Sequence, residues 1–304
     1  MDLKDFTYLV TLAEQGSISR AADQLFMAQS SLSQFLQQFE SELGVKLFIR
    51  TSRGIRPTSN GAVFIGHLKK LMEDYRRAKN ELWDNENMKG GKLTFGISSF
   101  RGRRMAPLIL KKFSERYPDV QIDVVEENSM KLEELLLEGQ LDLAVIALPP
   151  AKLKQGTIFI KNDEVLMVAN RRHPIMDYVH PKADGSGYWV DMKDAARFGF
   201  ILSDHNTILG TIGRNLFKRE KLPCQILHGT ITAALAVSMA SEGLGLAFTY
   251  ASSAEQTEDA VFLSVGEEGF FMELGLAYPS EEYHSKAVRA LEEVIREIYL
   301  GQGL

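Results

Sequence analysis

From Leu32 to Leu43, apolar side chains fall at offsets 0, 4, 7 and 11 (Leu32, Leu36, Phe39, Leu43), the stripe of an amphipathic helix. The opposite face of that segment carries Gln29, Ser30, Ser31, Ser33, Gln34 and Gln37. Amides and hydroxyls are the groups that pair with base edges in a DNA major groove. A polar helix face alone is ordinary solvated surface, so the flanking segments decide. Upstream, Leu3, Phe6, Leu9, Val10 and Ala13 recur at helical spacing until Gly16 stops them. Ser17 then caps a second, short helix presenting Ala21, Ala22 and Leu25. Downstream of Gly44, the run Val45–Arg50, a tip at Thr51-Ser52-Arg53-Gly54 and a return through Ile55-Arg56-Pro57-Thr58 read as a short β-hairpin. Arg50, Thr51, Arg53 and Arg56 suit it to phosphate contacts. The order predicts a helix–turn–helix with a wing.

Charge sharpens that reading. The 304-residue chain carries 35 Lys+Arg and 40 Asp+Glu, a net charge of −5. Such a balance argues against coating nucleic acid by bulk charge. Counted by segment, residues 1–60 hold six bases and six acids, and four of those bases lie within Lys46–Arg56. The acidic excess lies beyond residue 89, in a part that need not touch DNA.

The stretch Glu14-Gln15-Gly16-Ser17-Ile18-Ser19-Arg20-Ala21-Ala22-Asp23-Gln24-Leu25 resembles the N-terminal signature of LysR-type transcriptional regulators. So do Gln29-Ser30-Ser31-Leu32-Ser33, Glu40-Ser41-Glu42-Leu43-Gly44-Val45-Lys46-Leu47-Phe48, Arg50-Thr51, and Pro57-Thr58 with Gly61. The resemblance covers about sixty residues without a gap. It implies a DNA-binding domain over 1–60. Three positions depart from the family pattern. Ala28 stands where a capping Ser or Thr is usual, a loss of about 1 kcal/mol of helix stability unless Ser30 or Ser31 substitutes. Gln34 and Gln37 stand where bases are common, so the recognition helix has no positive charge.

Residues 60–87 contain no proline. Ile65, Leu68, Met72, Tyr75, Lys79 and Leu82 alternate by three and four, a heptad seam with one polar interruption. This predicts a linker helix over 61–89 that dimerises, ending at the flexible Lys89-Gly90-Gly91-Lys92.

Beyond Lys92 the chain alternates strand-like and helical runs. The strands read as Leu93–Ile97, Val120–Glu126, Asp142–Leu148, Glu164–Ala169, Phe198–Leu202, Cys224–His228, Leu244–Phe248 and Glu273–Tyr278. The helices read as Arg104–Tyr117, Ser129–Glu138, Ile208–Glu220, Thr232–Glu242 and Tyr283–Leu300. A βα succession of this kind predicts parallel sheets with helices on both faces. Some 210 residues fit two α/β lobes with a ligand crevice at the strand C-termini.

The resemblance continues through Ala106-Pro107-Leu108, Arg116-Tyr117-Pro118-Asp119-Val120, residues 136–144 and residues 240–246. It implies an effector domain over 92–304 like type II periplasmic binding proteins. Lobe I would comprise 92–161 and 268–304, and lobe II 162–267, with crossings near Lys161 and Gly266. Asp177–Val190 reads as a surface loop. The fold class is therefore α/β with an N-terminal all-α winged helix–turn–helix domain and a long linker helix.

Hydroxyls and free N–H groups at helix starts form sites for small anions. Ser98, Ser99, Asn128, Ser129, Ala147, Ser203, Thr207 and Thr230 stand at such strand ends. Alignment with the family implies effector positions at Ser98, Phe100, Asn128, Ser129, Ser203, His205, Thr207 and Thr230. Arg101, Arg103 and Arg104 beside it suit either drawing in an anion or forming a charged rim or subunit contact.

Enzyme chemistry finds no foothold. The six histidines show no paired metal-ligand spacing, Ser203-Asp204-His205 are chain neighbours, and Gly243-Leu244-Gly245 enters a strand rather than a helix. Leu143–Leu148 is the longest apolar stretch, six residues, against about 20 for a membrane helix. Met1–Asp5 lacks a secretory head, and the single Cys224 permits no internal disulfide, so the expectation is cytoplasmic. The expected partners are an operator duplex, a small-molecule effector, a second or fourth copy of the chain (homodimer or homotetramer) and RNA polymerase, with no membrane and no cofactor. A second reading is a metabolite-binding protein whose N-terminal module serves mainly for oligomerisation.

Overall fold

The computed structural model describes residues 2–52, 54–85, 91–255, 258–279 and 284–301. Two compact units emerge, residues 1–87 with 138–140, and the remainder. In the first, α1 (Leu3–Gln15), α2 (Ile18–Gln24) and α3 (Gln29–Leu43) precede the hairpin β1 (Phe48–Thr51) and β2 (Gly54–Pro57), and α4 (Ser59–Asn85) follows. Gly16 and Gly44 take left-handed backbone (φ 57° and 71°) where helix stops were expected. Leu9, Leu12, Ala21, Ala22, Leu32 and Leu36 form one buried core. The alanines let α2 approach closely.

In the second unit the elements are β3 (Lys92–Ile97), α5 (Ser99–Arg116), β4 (Gln121–Glu126), α6 (Ser129–Leu137), β5 (Leu143–Leu148) and β6 (Thr157–Asn170). A 3-10 turn, Pro174–Tyr178, leads to β7 (His180–Pro181), β8 (Tyr188–Val190), α7 (Met192–Ala195), β9 (Gly199–Ser203), α8 (Ile208–Arg219) and β10 (Gln225–Ile231). The chain closes with α9 (Ala233–Ser241), β11 (Ala247–Tyr250), a second 3-10 turn (Ala251–Ser253), β12 (Ala260–Val265), β13 (Phe271–Ala277) and α10 (Lys286–Gly301).

Lobe I orders its strands β4-β3-β5-β13-β6. Side chains alternate across a strand, and β5 shows the consequence. Leu143 and Val145 join the core under α5 and α10, while Ala144 and Ile146 join Leu132 and Leu136 of α6 on the other face. Being covered on both sides requires the near-continuous apolar run seen there. Lobe II repeats the arrangement around the end of β6. Val165, Met167 and Ala169 meet Leu209, Leu216 and Phe217 of α8, and Val168 meets Ala236 and Ala240 of α9.

Two expectations change, and a third is placed more finely. The sheets are mixed rather than parallel. β13 runs antiparallel to β5 and β6, and β11 and β12 run antiparallel to β6. The reason is that β12 and β13 together return alongside the whole of β6, which leaves no room for a crossover helix. The crossing itself is within β6, whose residues up to Glu164 pair with β13 and from Val165 on with β11. That is three residues past Lys161, and the return between β12 and β13 includes Gly266. Finally, the segment 177–190 is no simple surface loop. β8 pairs with β12 and Val190 is fully buried, because its partner lies some seventy residues further along.

The first half of β6 was hidden by Asn162 and Asp163, polar residues inside a strand. Asp163 is wholly buried, and Arg101 of α5, only 3% exposed, donates to its Oδ2 through Nε (3.4 Å) and Nη2 (3.3 Å). Ser252, on the strap after β11, adds its N–H to Oδ1 (2.9 Å) and its hydroxyl to Oδ2 (2.7 Å). The guanidinium also lies 3.6 Å from the ring centre of Tyr250, a cation–π contact. Burial works against its charge, but Tyr250, Asp163 and Tyr299 together outweigh it, so its pKa sits above the usual arginine value. Arg101 is therefore neither an anion collector nor a rim residue. Removing one partner of such a pair strands a buried charge, so Asp163→Ala should cost about 3–5 kcal/mol of unfolding free energy. The double change Arg101→Met with Asp163→Leu should recover most of it. Urea melts of the three proteins test this, and a single-variant loss below about 1 kcal/mol would contradict the assignment.

Candidate functional site

Helix α3 presents Gln29, Ser30, Ser31, Gln34 and Gln37 to solvent, with Ser33 half-buried, while Leu32, Leu36 and Phe39 are buried beneath. The polar face is continuous. Its N-cap, Ala28, makes no side-chain bond to the helix. Ser19 of α2 donates to Gln29 Oε1 at 3.0 Å, which steadies that amide at the start of the helix. Arg50, Thr51 and Arg56 are exposed on the hairpin. Arg53 lies outside the described residues.

The hairpin is tied to α3 by one buried carboxylate. Glu40, 5% exposed, accepts the N–H groups of Leu47 (2.8 Å) and Phe48 (2.9 Å) and pairs with Lys46 Nζ at 2.7 Å. The wing's first strand therefore starts from a fixed point on the recognition helix. From the other side, Thr58 donates its hydroxyl to the Lys46 carbonyl at 2.8 Å and accepts Gly61 N–H at 2.9 Å, starting α4. At Gly61 any Cβ would overlap the Leu47 carbonyl oxygen.

The expected seam along α4 divides. Ile65 and Leu68 pack into the domain's own core and Met72 is half-buried, whereas Tyr75, Lys79 and Leu82 are exposed. An exposed stripe of Leu71, Tyr75, Ala78 and Leu82 keeps heptad spacing along the far half. The break at Lys89-Gly90 lies outside the described residues.

In the second unit, α5 and α6 start at the C-terminal ends of the parallel strands β3 and β4, and α8 and α9 start after β9 and β10. Lobe I turns its strand ends toward lobe II, since Ala147 belongs to the lobe II core and Phe100 packs against it, 6.1 Å from the ring of Tyr250. Ser98 is the N-cap of α5 and makes no side-chain bond to the helix; Ser99 is exposed. Asn128 accepts Lys131 N–H at 3.0 Å, capping α6, and Ser129 is buried. Thr207 caps α8, accepting Gly210 N–H at 3.1 Å and donating to the Asp204 carbonyl at 2.6 Å. It also lies 3.3 Å from the buried Ser203 hydroxyl, and His205 is exposed beside Asp204. Thr230 is not at a helix start. It is an exposed residue of β10, and Thr232 is the cap of α9. The extra residues of β10 shift the cap two positions along.

Phe100 lines a cavity of about 260 Å³ between α5 and α9 that also takes in Arg103, Ser238, Ser241 and Ser253. Arg103 is paired with Glu255 at 2.7 Å, and Arg104 donates to the Ala254 carbonyl. Both therefore bridge to the strap of lobe II. Arg214 of α8 escaped the sequence reading. It donates to the carbonyls of Ser203, Gly210 and Gly229, each at 2.8 Å, and so ties the C-terminal ends of β9 and β10 together. Its i+4 spacing from Gly210 was the only local signal.

Residues 86–299 match the family model described as the LysR substrate binding domain, and residues 3–62 match that of the bacterial regulatory helix-turn-helix protein, lysR family. The chain belongs to the LysR family of transcriptional regulators. A Bacillus subtilis relative, described as an uncharacterized HTH-type transcriptional regulator YcgK, is 35% identical over 149 residues, covering 49% of this chain and 46% of its own length. The HTH-type transcriptional regulator BbuR of Bordetella bronchiseptica is 26% identical across 93% of this chain and 86% of its own. A full-length OxyR variant from Pseudomonas aeruginosa superposes with a TM-score of 0.69 at 20% identity, over 97% of this chain and 98% of that one, which speaks for the fold.

This LysR-family chain is a DNA-binding transcriptional regulator with an effector-binding domain, and its relatives are regulators rather than enzymes. The match over residues 3–62 makes the helix–turn–helix more than an oligomerisation module. In that setting Glu40 is the residue that sets the wing against the recognition helix. Glu40→Ala should lose about 2–3 kcal/mol of stability, the weight of charge-assisted bonds to two amides. It should also weaken DNA binding even at temperatures where the domain stays folded. Denaturant melts and fluorescence anisotropy would check both, and unchanged affinity would free the wing from this anchor.

Proposed function

We propose that this LysR-family regulator works in the cytoplasm as a homodimer or homotetramer, reads an operator duplex through paired recognition helices, and binds a small anionic metabolite between its two lobes. The effector changes the lobe arrangement, and thereby the spacing of the DNA-binding domains and the signal to RNA polymerase. No cofactor beyond the effector is required. Among the described residues no helix is long and apolar enough to cross a membrane.

One observation carries the anionic effector. Helix α5 starts at the face that lobe I turns to lobe II, and its N-cap Ser98 makes no side-chain bond to the helix. The N–H groups at the positive end of an 18-residue helix favour a carboxylate or similar anion. Ser129 and Thr230, near the C-terminal ends of β4 and β10, supply hydroxyls that are not helix caps. A thermal-shift panel of small organic acids, amino acids and aromatic carboxylates should find at least one that raises the melting temperature. The rise should vanish in the Ser129→Ala, Thr230→Ala double variant, and a shift that survives both changes places the effector elsewhere.

The exposed stripe Leu71, Tyr75, Ala78 and Leu82 of α4 supports self-association. Four apolar or small side chains at heptad spacing, left open to solvent, match a helix that buries them against a second copy. Leu71→Glu with Leu82→Glu should at least halve the mass measured by light scattering. An unchanged mass would move the interface off this helix.

A further inference from the structure

Phe26 is 98% exposed, the most open of the chain's large apolar side chains among the described residues. It also has φ 53°, in the left-handed region. Its neighbours Leu25 and Met27 both pack against the core of the DNA-binding domain, and Phe26 does not. The backbone explains the conformation. Met27 N–H reaches back to the Ala22 carbonyl (3.0 Å) and Phe26 N–H to that of Asp23 (3.2 Å), the paired bonds that close a helix with one left-handed residue. That residue is usually glycine, because a Cβ there is strained. Here the position holds a phenylalanine that touches no core. Backbone strain and an apolar ring in water are both unfavourable, and nothing inside the domain offsets them.

The position of the ring says what offsets them. Phe26 is two residues before Ala28, the N-cap of α3, and Ala28, Gln29 and Ser30 are exposed with it. In a helix–turn–helix the N-terminal residues of the second helix are those that meet base edges in the major groove. A phenyl ring has no hydrogen-bond donor for a phosphate and no partner for the polar base edges. The apolar feature the major groove offers is the C5-methyl group of thymine. We propose that Phe26 is a base-reading residue, packing its ring on a thymine methyl at the edge of each half-site. The recognition helix itself carries no positive charge, so an apolar contact there adds a preference that Gln29, Ser30 and Ser33 do not provide. This inference rests on the recognition helix entering the major groove.

The test uses the full-length protein and a duplex it selects from a randomised library. In that duplex each thymine is replaced in turn by deoxyuridine, which removes only the methyl. Wild type should lose about fourfold in affinity at one thymine per half-site, the weight of one buried methyl group. Phe26→Gly should lose about fourfold or more on the parent duplex and nothing further on the deoxyuridine duplex. The same variant should melt at a higher temperature, since glycine removes the strain, so misfolding cannot explain the weaker binding. Wild-type binding indifferent to every deoxyuridine, or a Phe26→Gly protein that binds the parent duplex as tightly as wild type, overturns the assignment. Unaltered DNA binding with impaired transcription in vitro overturns it too, and places the ring against a protein partner. If the wild-type protein selects no duplex at all, the operator-reading function falls with it.

Discussion

The Arg101–Asp163 pair is where the effector domain is held together. Asp163 is in β6, the strand that both lobes share, and Arg101 comes from the first turn of α5 in lobe I. Ser252 reaches the same carboxylate from the strap that follows β11 in lobe II. Three segments far apart in sequence thus converge on one buried carboxylate beside the point where β6 changes partners. A charge so placed is tolerable only while every partner stays in position. Phe100, one residue before Arg101, and the start of α5 that the effector is proposed to touch are continuous with this cluster.

The DNA-binding unit uses the same device at smaller scale. Glu40 is a buried carboxylate satisfied by two backbone amides and a lysine, and it joins the second helix of the helix–turn–helix to the hairpin that carries the basic residues. The division of labour matters because the recognition face has no charge. On the proposed reading, affinity from phosphate contacts follows how the wing is set, and preference follows the groups of α3 and its preceding turn. The polar link between the two is thus one side chain with well-defined partners, set beside a shared core of Leu36, Phe39, Leu47 and Phe48.

Much of this was legible before any coordinates. The helix–turn–helix stripe, its glycine stops and the uncapped start at Ala28 follow from local chemistry, and local chemistry is what a sequence displays. The starts of α6, α8 and the core of β5 were equally open, since their patterns repeat with the period of one element. What escaped were features whose cause is a distant partner. The first half of β6 read as polar because Asp163 is polar, and only Arg101 makes it a strand interior. β8 read as loop because β12 is remote. Thr230 reads as a cap in the sequence because β10 runs three residues further than Cys224–His228. The α4 seam looked uniform, yet its first half is claimed by the domain's own core.

By itself, the sequence determined that this chain has a winged helix–turn–helix followed by an α/β domain, that its basic residues gather on the wing, and that it lacks the spacing of an enzyme's active site. Those properties are carried by periodicity, helix-stop residues and the order of segments, all within a few residues of one another. Only the tertiary structure decided that the sheets are mixed, that Arg101 is an internal tie rather than an anion contact, and that Arg214 draws β9 and β10 together. It also decided that Phe26 is held in the open by a left-handed turn. Each of these depends on which distant groups satisfy a buried charge or carbonyl, or fail to cover a ring, and no local pattern encodes that.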